Sequence, residues 1–339
     1  MKIAFINAYQ GNIERGAETY VAELTLRLKN RHTVDIISDN STPKDRWPIL
    51  WRICLDPRGL NIFWFTFKNL GKIFREKYDI VIPINGGWQP FLIRLATWVY
   101  GGKMVISGQS GKGWDDRINL WSFPDMFIAL SSALKKWSGN VNPFVRSTYV
   151  PNGVDTQKFI PVGEKIDFGL KKPLILSVGA LDNDKRMDLV IKAVSKIKKG
   201  SLILVGKGKM EEKLRQLGKK LLGDRFKIMS FNFKDMPKVY RSVDLFTLAS
   251  PSYRSFEIVI TEAMASGLPV VVNNDPIRSE IVGNSGILVD PENEIQYSEA
   301  LAEALKTDWK NRPVSEASRF SWNKISNDYG NLFKSLMLD

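Results

Sequence analysis

The sequence predicts an α/β protein built of two doubly wound domains. Three observations predict it. Apolar runs of strand length recur along the chain, the stretches between them have helical spacing, and the pattern restarts near the middle. Continuous Val/Ile/Leu runs suit strands buried on both faces, as in parallel sheets.

In the first half the runs are KIAFIN, TVDIIS, DIVIPIN, KMVIS and MFIAL. In the second they are PLILSVG, SLILVG, FKIMSF, DLFTLAS, LPVVVN and GILVD. Between the first two, AETYVAELTLRLKN puts Tyr20, Val21, Leu24 and Leu28 on one side of a helix. RMDLVIKAVSKIKK does the same with Leu189, Val190, Ala193, Val194 and Ile197. The seam is VPNGVDTQKF, where a Pro-Asn-Gly turn precedes the restart of the strand pattern. The expected domains are residues 1–152 and 153–318, with 319–339 as a closing helix packing back on the first domain. Trp322, Ile325, Tyr329 and Phe333 give that helix its apolar side. Ligands in such sheets bind at the carboxyl ends of the strands, so the expected site is a cleft across which the two domains face one another.

The 339 residues suffice for two domains at roughly 150 residues each. An apolar share of 44% and a charged share of 25% are those of an ordinary globular chain, not a disordered one. The net charge of +13 favours anionic partners without choosing among nucleic acid, lipid and phosphate-bearing substrate. The one cysteine, Cys54, permits no intrachain disulfide and reads as a packed thiol. The one histidine, His32, reads as a turn residue before TVDIIS. No Cys/His zinc site can be assembled from this inventory, and no zinc finger, basic zipper or RNP-like motif supports nucleic-acid binding. MKIAFIN reads as a first buried strand rather than a signal peptide, and no apolar run reaches the ~18 residues of a spanning helix. The protein is expected to be cytoplasmic, peripheral at the inner face of the membrane.

Six stretches then appear in a telling order: RGAETYVAELTLRL, VPNGVD, SVGALDNDKRMDLVIKAV, LILVGKGKMEEKL, SVDLFTLASPSYRSFEIVITEAMASGLPVVVN and SEIVGNSGILVDPEN. Together they resemble the retaining glycosyltransferases of family 4, glycosyl transferases group 1, over most of the chain. The resemblance implies the GT-B fold of two Rossmann-like domains. It also implies transfer of a sugar from a nucleoside diphosphate to a glycan or lipid-linked acceptor, with retention and without a metal or cofactor. Donor-binding residues carried over by motif are Gly16, Lys185, Arg186, Phe256, Ile258 and Glu262. The chemistry suits them. A glycine opening a helix lets backbone N–H groups approach phosphate, a lysine offsets charge on the leaving diphosphate, and an acceptor-only carboxylate suits vicinal ribose hydroxyls.

Four residues depart from the family pattern. Arg254 stands where the signature has its first glutamate, and Glu257 where the family often has glycine. Ala180 replaces an arginine that often accompanies the phosphate lysine. Gln109 is the expected equivalent of a frequent active-site histidine. Arg254, Glu257 and Gln109 are thus the candidates beside the reacting sugar, and Arg254 suits either an anionic donor sugar such as a uronic acid or pairing with Glu257 or the diphosphate. Asp115 and Asp116 in GQSGKGWDD suit either an acceptor sugar or the cap of the next helix. Residues 44–78 interleave Trp47, Trp51, Phe63, Trp64, Phe65, Phe67 and Phe74 with lysines and arginines, a composition suited to an anionic membrane surface or to the first domain's core. The rival functions are a nucleotide-sugar 2-epimerase and a catalytically degenerate nucleotide- or glycan-binding partner subunit.

Overall fold

A computed structural model describes residues 1–11, 16–39 and 56–338. Cys54, Lys44, Arg46, Trp47, Trp51 and Arg52 lie outside the described residues. The chain divides into two compact units, Met1–Asn152 with Trp322–Asp339, and Gly153–Ser321.

Unit 1 runs β1 (Lys2–Ile6), α1 (Gly16–Leu28), β2 (Thr33–Ile37), α2 (Pro57–Glu76), β3 (Ile80–Pro83), α3 (Trp88–Tyr100), β4 (Lys103–Ser107), α4 (Trp114–Trp121), β5 (Met126–Ala129), α5 (Ser132–Val141) and β6 (Ser147–Tyr149). The strands form one parallel sheet in the order β2-β1-β3-β4-β5-β6. Ile3 of β1 lies opposite Val34 on one side and Ile80 on the other, which fixes the centre of the sheet. Helix starts follow their local chemistry. Asp56 caps α2 by accepting from the Gly59 N–H at 2.6 Å, with Pro57 in the first turn, and Ser131 caps α5 through the Leu134 N–H at 3.1 Å. The expected helical face of α1 is buried: Tyr20, Val21, Leu24 and Leu28 meet Ile3, Phe5 and Ile80.

Unit 2 runs β7 (Leu174–Val178), α6 (Met187–Ser195), β8 (Ser201–Val205), α7 (Glu211–Leu222), β9 (Phe226–Met229), α8 (Met236–Arg241), β10 (Leu245–Leu248), α9 (Ile258–Ala265), β11 (Val270–Asn273), α10 (Pro276–Val282), β12 (Gly286–Val289), α11 (Glu294–Ala304) and α12 (Arg312–Ser318). Its parallel sheet has the order β9-β8-β7-β10-β11-β12, the arrangement of dinucleotide-binding folds. Helix α6 stops at Ser195, so Ile197 falls beyond it, and Ile191 is buried with Val190, Ala193 and Val194 while Leu189 is half-buried.

The last helix, α13 (Trp322–Leu338), returns to unit 1. It packs along α1 and brings Trp322, Ile325, Tyr329, Phe333 and Leu336 into that core. Tyr20 is the meeting point, with ring centroids 6.3 Å from Trp322, 6.0 Å from Tyr329 and 6.3 Å from Phe5. Unit 2 extends to Ser321, past the expected boundary at 318, for two local reasons. Phe320 packs edge-on to Phe256 at 5.3 Å, and its carbonyl accepts the Val154 N–H at 2.7 Å.

Candidate active site

In each unit the strand order reverses once, between β1 and β3 in unit 1 and between β7 and β10 in unit 2. The loops leaving the carboxyl ends of such a pair diverge and open a crevice. In unit 2 these are the loops after Val178 and after Leu248, and they carry most of the predicted site residues.

The loop after β7 is braced from the side. Leu181 donates its N–H to Lys207 O at 3.0 Å, and Met210 donates to Leu181 O at 2.8 Å. Two glycines of the VGKGK stretch make this approach possible. A Cβ on Gly206 would lie 1.9 Å from Gly179 O, and one on Gly208 2.2 Å from Leu181 O. The loop then makes one short turn, Asn183–Lys185, and Arg186 takes a left-handed conformation (φ 49°) to enter α6. Glu257 takes the same conformation (φ 55°) to enter α9. Glycine is the residue that adopts it without strain, which accounts for the expected glycine at that site.

The charged side chains of the two loops pair crosswise. Lys185 donates to both carboxylate oxygens of Glu257, at 2.9 and 2.6 Å. The Arg254 guanidinium pairs with Asp184 and lies 5.6 Å from the Tyr253 ring centre. Arg254 is therefore not an unopposed cation awaiting an anionic sugar; its charge is met by the residue next to Lys185. Behind this pair stands Arg278 of α10, fully buried at 1% exposure. It donates to Arg254 O at 3.1 Å and forms ion pairs with Asp275 at 3.4 Å and Glu257 at 3.6 Å. Burial alone would raise the Glu257 carboxyl, but the charges of Lys185 and Arg278 and the Lys185 hydrogen bond hold it below the usual carboxylate range. Arg278 is a residue that sequence reading missed; the Asp275-Pro276 helix start, which puts it in a first turn, was its only signal.

Glu262 lies one helical stretch further along α9, 5% exposed. Tyr240 of α8 donates its hydroxyl to Glu262 Oε2 at 2.8 Å, and the tyrosine is held edge-on to Phe159 at 5.7 Å. A carboxylate offers several lone pairs, and Tyr240 occupies one while fixing the rotamer. Arg186 pairs with Glu292 at 2.8 Å. Ile258 is buried as the first residue of α9. Phe256, expected in the donor site, is 1% exposed and packs on Phe320, so its side chain belongs to the core.

In unit 1 the equivalent crevice holds a cavity of ≈ 180 Å³ lined by Tyr9, Glu18, Asp56, Arg58, Gln109 and Asp115 among others. Asn85, after β3, accepts the Ala8 N–H at 2.9 Å and donates to Asn7 at 3.3 Å, tying the two switch-point loops. Gln109 pairs amide to amide with Asn152, donating at 3.2 Å and accepting at 2.9 Å, and donates also to Ser107. Its polar atoms are thus used structurally at the predicted catalytic place. Gly16 is the exposed first residue of α1.

Asp115 and Asp116 separate in role. Neither caps α4, whose N-cap is Gly113 with no side-chain bond. Asp115 faces the cavity. Asp116 is buried and accepts from the Ser110 and Gly111 N–H groups at 3.0 and 2.9 Å, folding the glycine loop over itself. Burial and the charge of Asp115 push its carboxyl up to about 7, against the pull of those backbone bonds. The native state therefore holds a proton there that the unfolded chain has released. Stability is expected to fall as pH rises between 3.8 and about 7. Asp116→Asn should flatten that slope in urea titrations taken across the window; an unchanged slope would remove the assignment.

Among the described residues no group of three or more His, Cys, Asp or Glu side chains stands ready to hold a metal ion.

Two family profiles match the sequence, one described as "Glycosyltransferase Family 4" over residues 15–158 and one as "Glycosyl transferases group 1" over residues 172–307. An uncharacterized glycosyltransferase of Methanocaldococcus jannaschii is 29% identical over 236 residues, 62% of this chain and 60% of that protein. A Campylobacter jejuni N-acetylgalactosaminyltransferase acting on a diphospho-undecaprenol substrate is 29% identical over 188 residues, 52% of this chain. The matched stretch spans 50% of that relative's own length. Among solved structures, a sucrose-phosphate synthase from Thermosynechococcus elongatus superposes with a TM-score of 0.80 at 19% identity, covering 99% of each chain. Anabaena HepE in complex with UDP-glucose superposes with a TM-score of 0.76 at 18% identity, covering 99% of this chain and 100% of that one. Profile matches over both units, glycosyltransferase relatives and the shared two-unit α/β fold agree: the chain belongs to the group 1, family 4 glycosyltransferases, a family of transferases with the GT-B fold.

Proposed function

We propose that this chain transfers a sugar from a nucleoside diphosphate, held at the β7/β10 crevice, to a hydroxyl of a glycan or lipid-linked acceptor, with retention of configuration. The observation that carries the reading is the meeting of Lys185 and Glu257 across the two loops that diverge at that crevice. In this reading Lys185 offsets the charge that grows on the departing diphosphate. Glu262 accepts hydrogen bonds from the ribose hydroxyls, its rotamer set by Tyr240. The bond from the sugar's anomeric carbon to the diphosphate oxygen breaks, and a bond to the acceptor oxygen forms on the same face. The acceptor's proton passes to the departing phosphate oxygen, so no protein nucleophile is needed. The unit 1 cavity, with its carboxylates and amides, serves the acceptor sugar.

Calorimetry against a panel of nucleoside diphosphates and their sugars, followed by product analysis with the tightest donor, tests this. Transfer that survives dialysis against EDTA, with the donor's anomeric configuration kept, is the expected result. An epimer formed from donor alone would replace the reading with the epimerase one. Tight nucleotide binding without turnover across the panel would replace it with a binding subunit.

The reading extends to the membrane, on a second observation. Helices α2 and α3 pack side by side and leave Trp64 (56%), Leu95 (58%), Trp98 (58%) and Val99 (76%) exposed, with Phe67 beside Trp64. Lys68, Lys72 and Arg75 are on the exposed surface of α2. Phe65, Ile62 and Ile73 of the same helix are core, so the aromatic segment divides between core and surface. Exposed tryptophans beside cations suit a lipid interface, and no described helix is long and apolar enough to cross a bilayer. The protein is expected to sediment with vesicles of phosphatidylcholine and phosphatidylglycerol, and Trp64→Ser with Trp98→Ser to lose most of that binding. Equal recovery with neutral vesicles would count against it.

A further inference from the structure

Away from both crevices, unit 1 holds a second cavity, of ≈ 210 Å³, between the end of α1 and one side of α13. The ionisable groups that line it among the described residues are all basic: Arg27, Arg31, His32 and Lys334. Arg27 is neutralised by Glu23 at 2.5 Å. Arg31 and Lys334 come within ion-pair distance of no carboxylate among the described residues. The α13 wall is polar at helical spacing, with Asn323, Asn327 and Asn331 on it.

Asn323 and Asn327 line the cavity with their oxygens turned to its arginines. Asn323 Oδ1 accepts from Arg27 Nε at 3.0 Å, and Asn327 Oδ1 accepts from Arg31 Nη1 at 3.1 Å. Each oxygen accepts one bond from an arginine, and the amide N–H groups have no acceptor among the described residues and remain to donate. The carbonyls ending α1, which would repel an anion, are taken up by the chain itself. Leu28 O accepts from Arg31 N at 3.0 Å and His32 N at 2.9 Å. His32 adds a buried Nδ1 with no hydrogen-bond partner. Gly330 leaves space beside the ring's other nitrogen, where an added Cβ would stand 3.9 Å from His32 Nε2, in ordinary contact. A glycine inside a helix costs about 1 kcal/mol relative to alanine, so an open wall here is bought at the expense of α13.

Two cations that meet no carboxylate among the described residues, with amide groups beside them around one cavity, describe a receptor for a tetrahedral oxyanion. We propose that this cavity binds a phosphate group, through Arg31, Lys334 and the Asn323 and Asn327 amides, with His32 as a further donor when protonated. The site is separate from the donor crevice and does not depend on the transfer reaction.

The sole histidine of the chain reports on the site directly. Burial, the N-terminal ammonium, Lys334 and Arg31 lower its pKa below the usual value. An anion seated beside it must move that titration upward. The measurement is the pH titration of the histidine ring resonances in the full chain. Sodium sulfate is the probe, because its charge is constant through the window, and sodium chloride of equal ionic strength is the control. Sulfate should raise the midpoint by about half a unit or more, and chloride should not. Arg31→Met with Lys334→Met should abolish the rise, as should Gly330→Leu, which fills the cavity and keeps every charge. Both cations are exposed, so their removal leaves the core intact. Vesicles of phosphatidylcholine with phosphatidic acid, set against phosphatidylcholine alone, separate the sources. A shift with sulfate assigns a free phosphate group, and a shift with the acidic vesicles alone assigns a lipid headgroup. No shift with either, an equal shift with chloride, or a shift that persists in Gly330→Leu and in the double variant would overturn the proposal.

Discussion

Trp322→Ala is expected to destabilise unit 1 by about 3–5 kcal/mol, the range for truncating a large buried aromatic. The indole is 2% exposed and stacks against Tyr20, which in turn meets Phe5 of the central strand and Tyr329. Its loss opens a cavity that α1 and α13 cannot close without moving both helices. A two-unit chain need not unfold in one step, so urea unfolding should be followed by hydrogen exchange resolved along the sequence. Protection is expected to fall in β1, α1 and α13 and to stay unchanged in β7, β8 and β10. A uniform loss over both units, or a loss under about 1 kcal/mol, would contradict the assignment of Trp322 to the unit 1 core.

Lys185→Ala should have the largest effect on transfer, a fall in kcat/KM of about 10²–10³-fold, the usual consequence of removing one donor that meets developing charge. Most of it should appear in kcat, because charge on the diphosphate grows along the reaction. The substitution also strands Glu257, a carboxylate 9% exposed whose remaining cation, Arg278, is 3.6 Å away. The folded Glu257 titrates below 4.5, so its pairing stabilises unit 2 above that pH and is lost as pH falls through the depressed value. Without Lys185 that acid limit should move upward. Glu257→Gln combined with Lys185→Ala should then cost less stability than the two single losses added, since the pair is removed together. Transfer within about twofold of the parent would withdraw Lys185 from the reaction.

The fold was legible because its strands are buried on both faces and therefore spelled in continuous apolar letters. KIAFIN, SLILVG and LPVVVN needed no further information. Strand β6 escaped notice because Ser147–Tyr149 is three residues long, half-buried and at the edge of its sheet. The site was legible only in part, and for a different reason. Arg254 and Glu257 each look anomalous in sequence, but together they answer Asp184 and Lys185, a dipeptide about seventy residues away. The two departures form one crossed arrangement of charge, and no local pattern can announce a partner so distant. Arg278 was hidden likewise, since nothing in DPIRSEIV says that this arginine turns inward. The amide that meets Gln109, Asn152, lies 43 residues further along the chain, beyond the reach of any local pattern.

The return of α13 to unit 1 has a consequence for how the protein is made. Unit 2 is continuous in sequence, whereas unit 1 takes Trp322, Ile325, Tyr329, Phe333 and Leu336 from after it. On the ribosome unit 1 is begun first and its core is completed last. Until α13 emerges, α1 is covered by the sheet alone and Tyr20 lacks Trp322 and Tyr329, while unit 2 has all its residues and can close. Contacts between residues so far apart in the chain form slowly, and exposed apolar faces attract chaperones. The nascent chain should therefore fold in reverse order of synthesis, the second unit before the first.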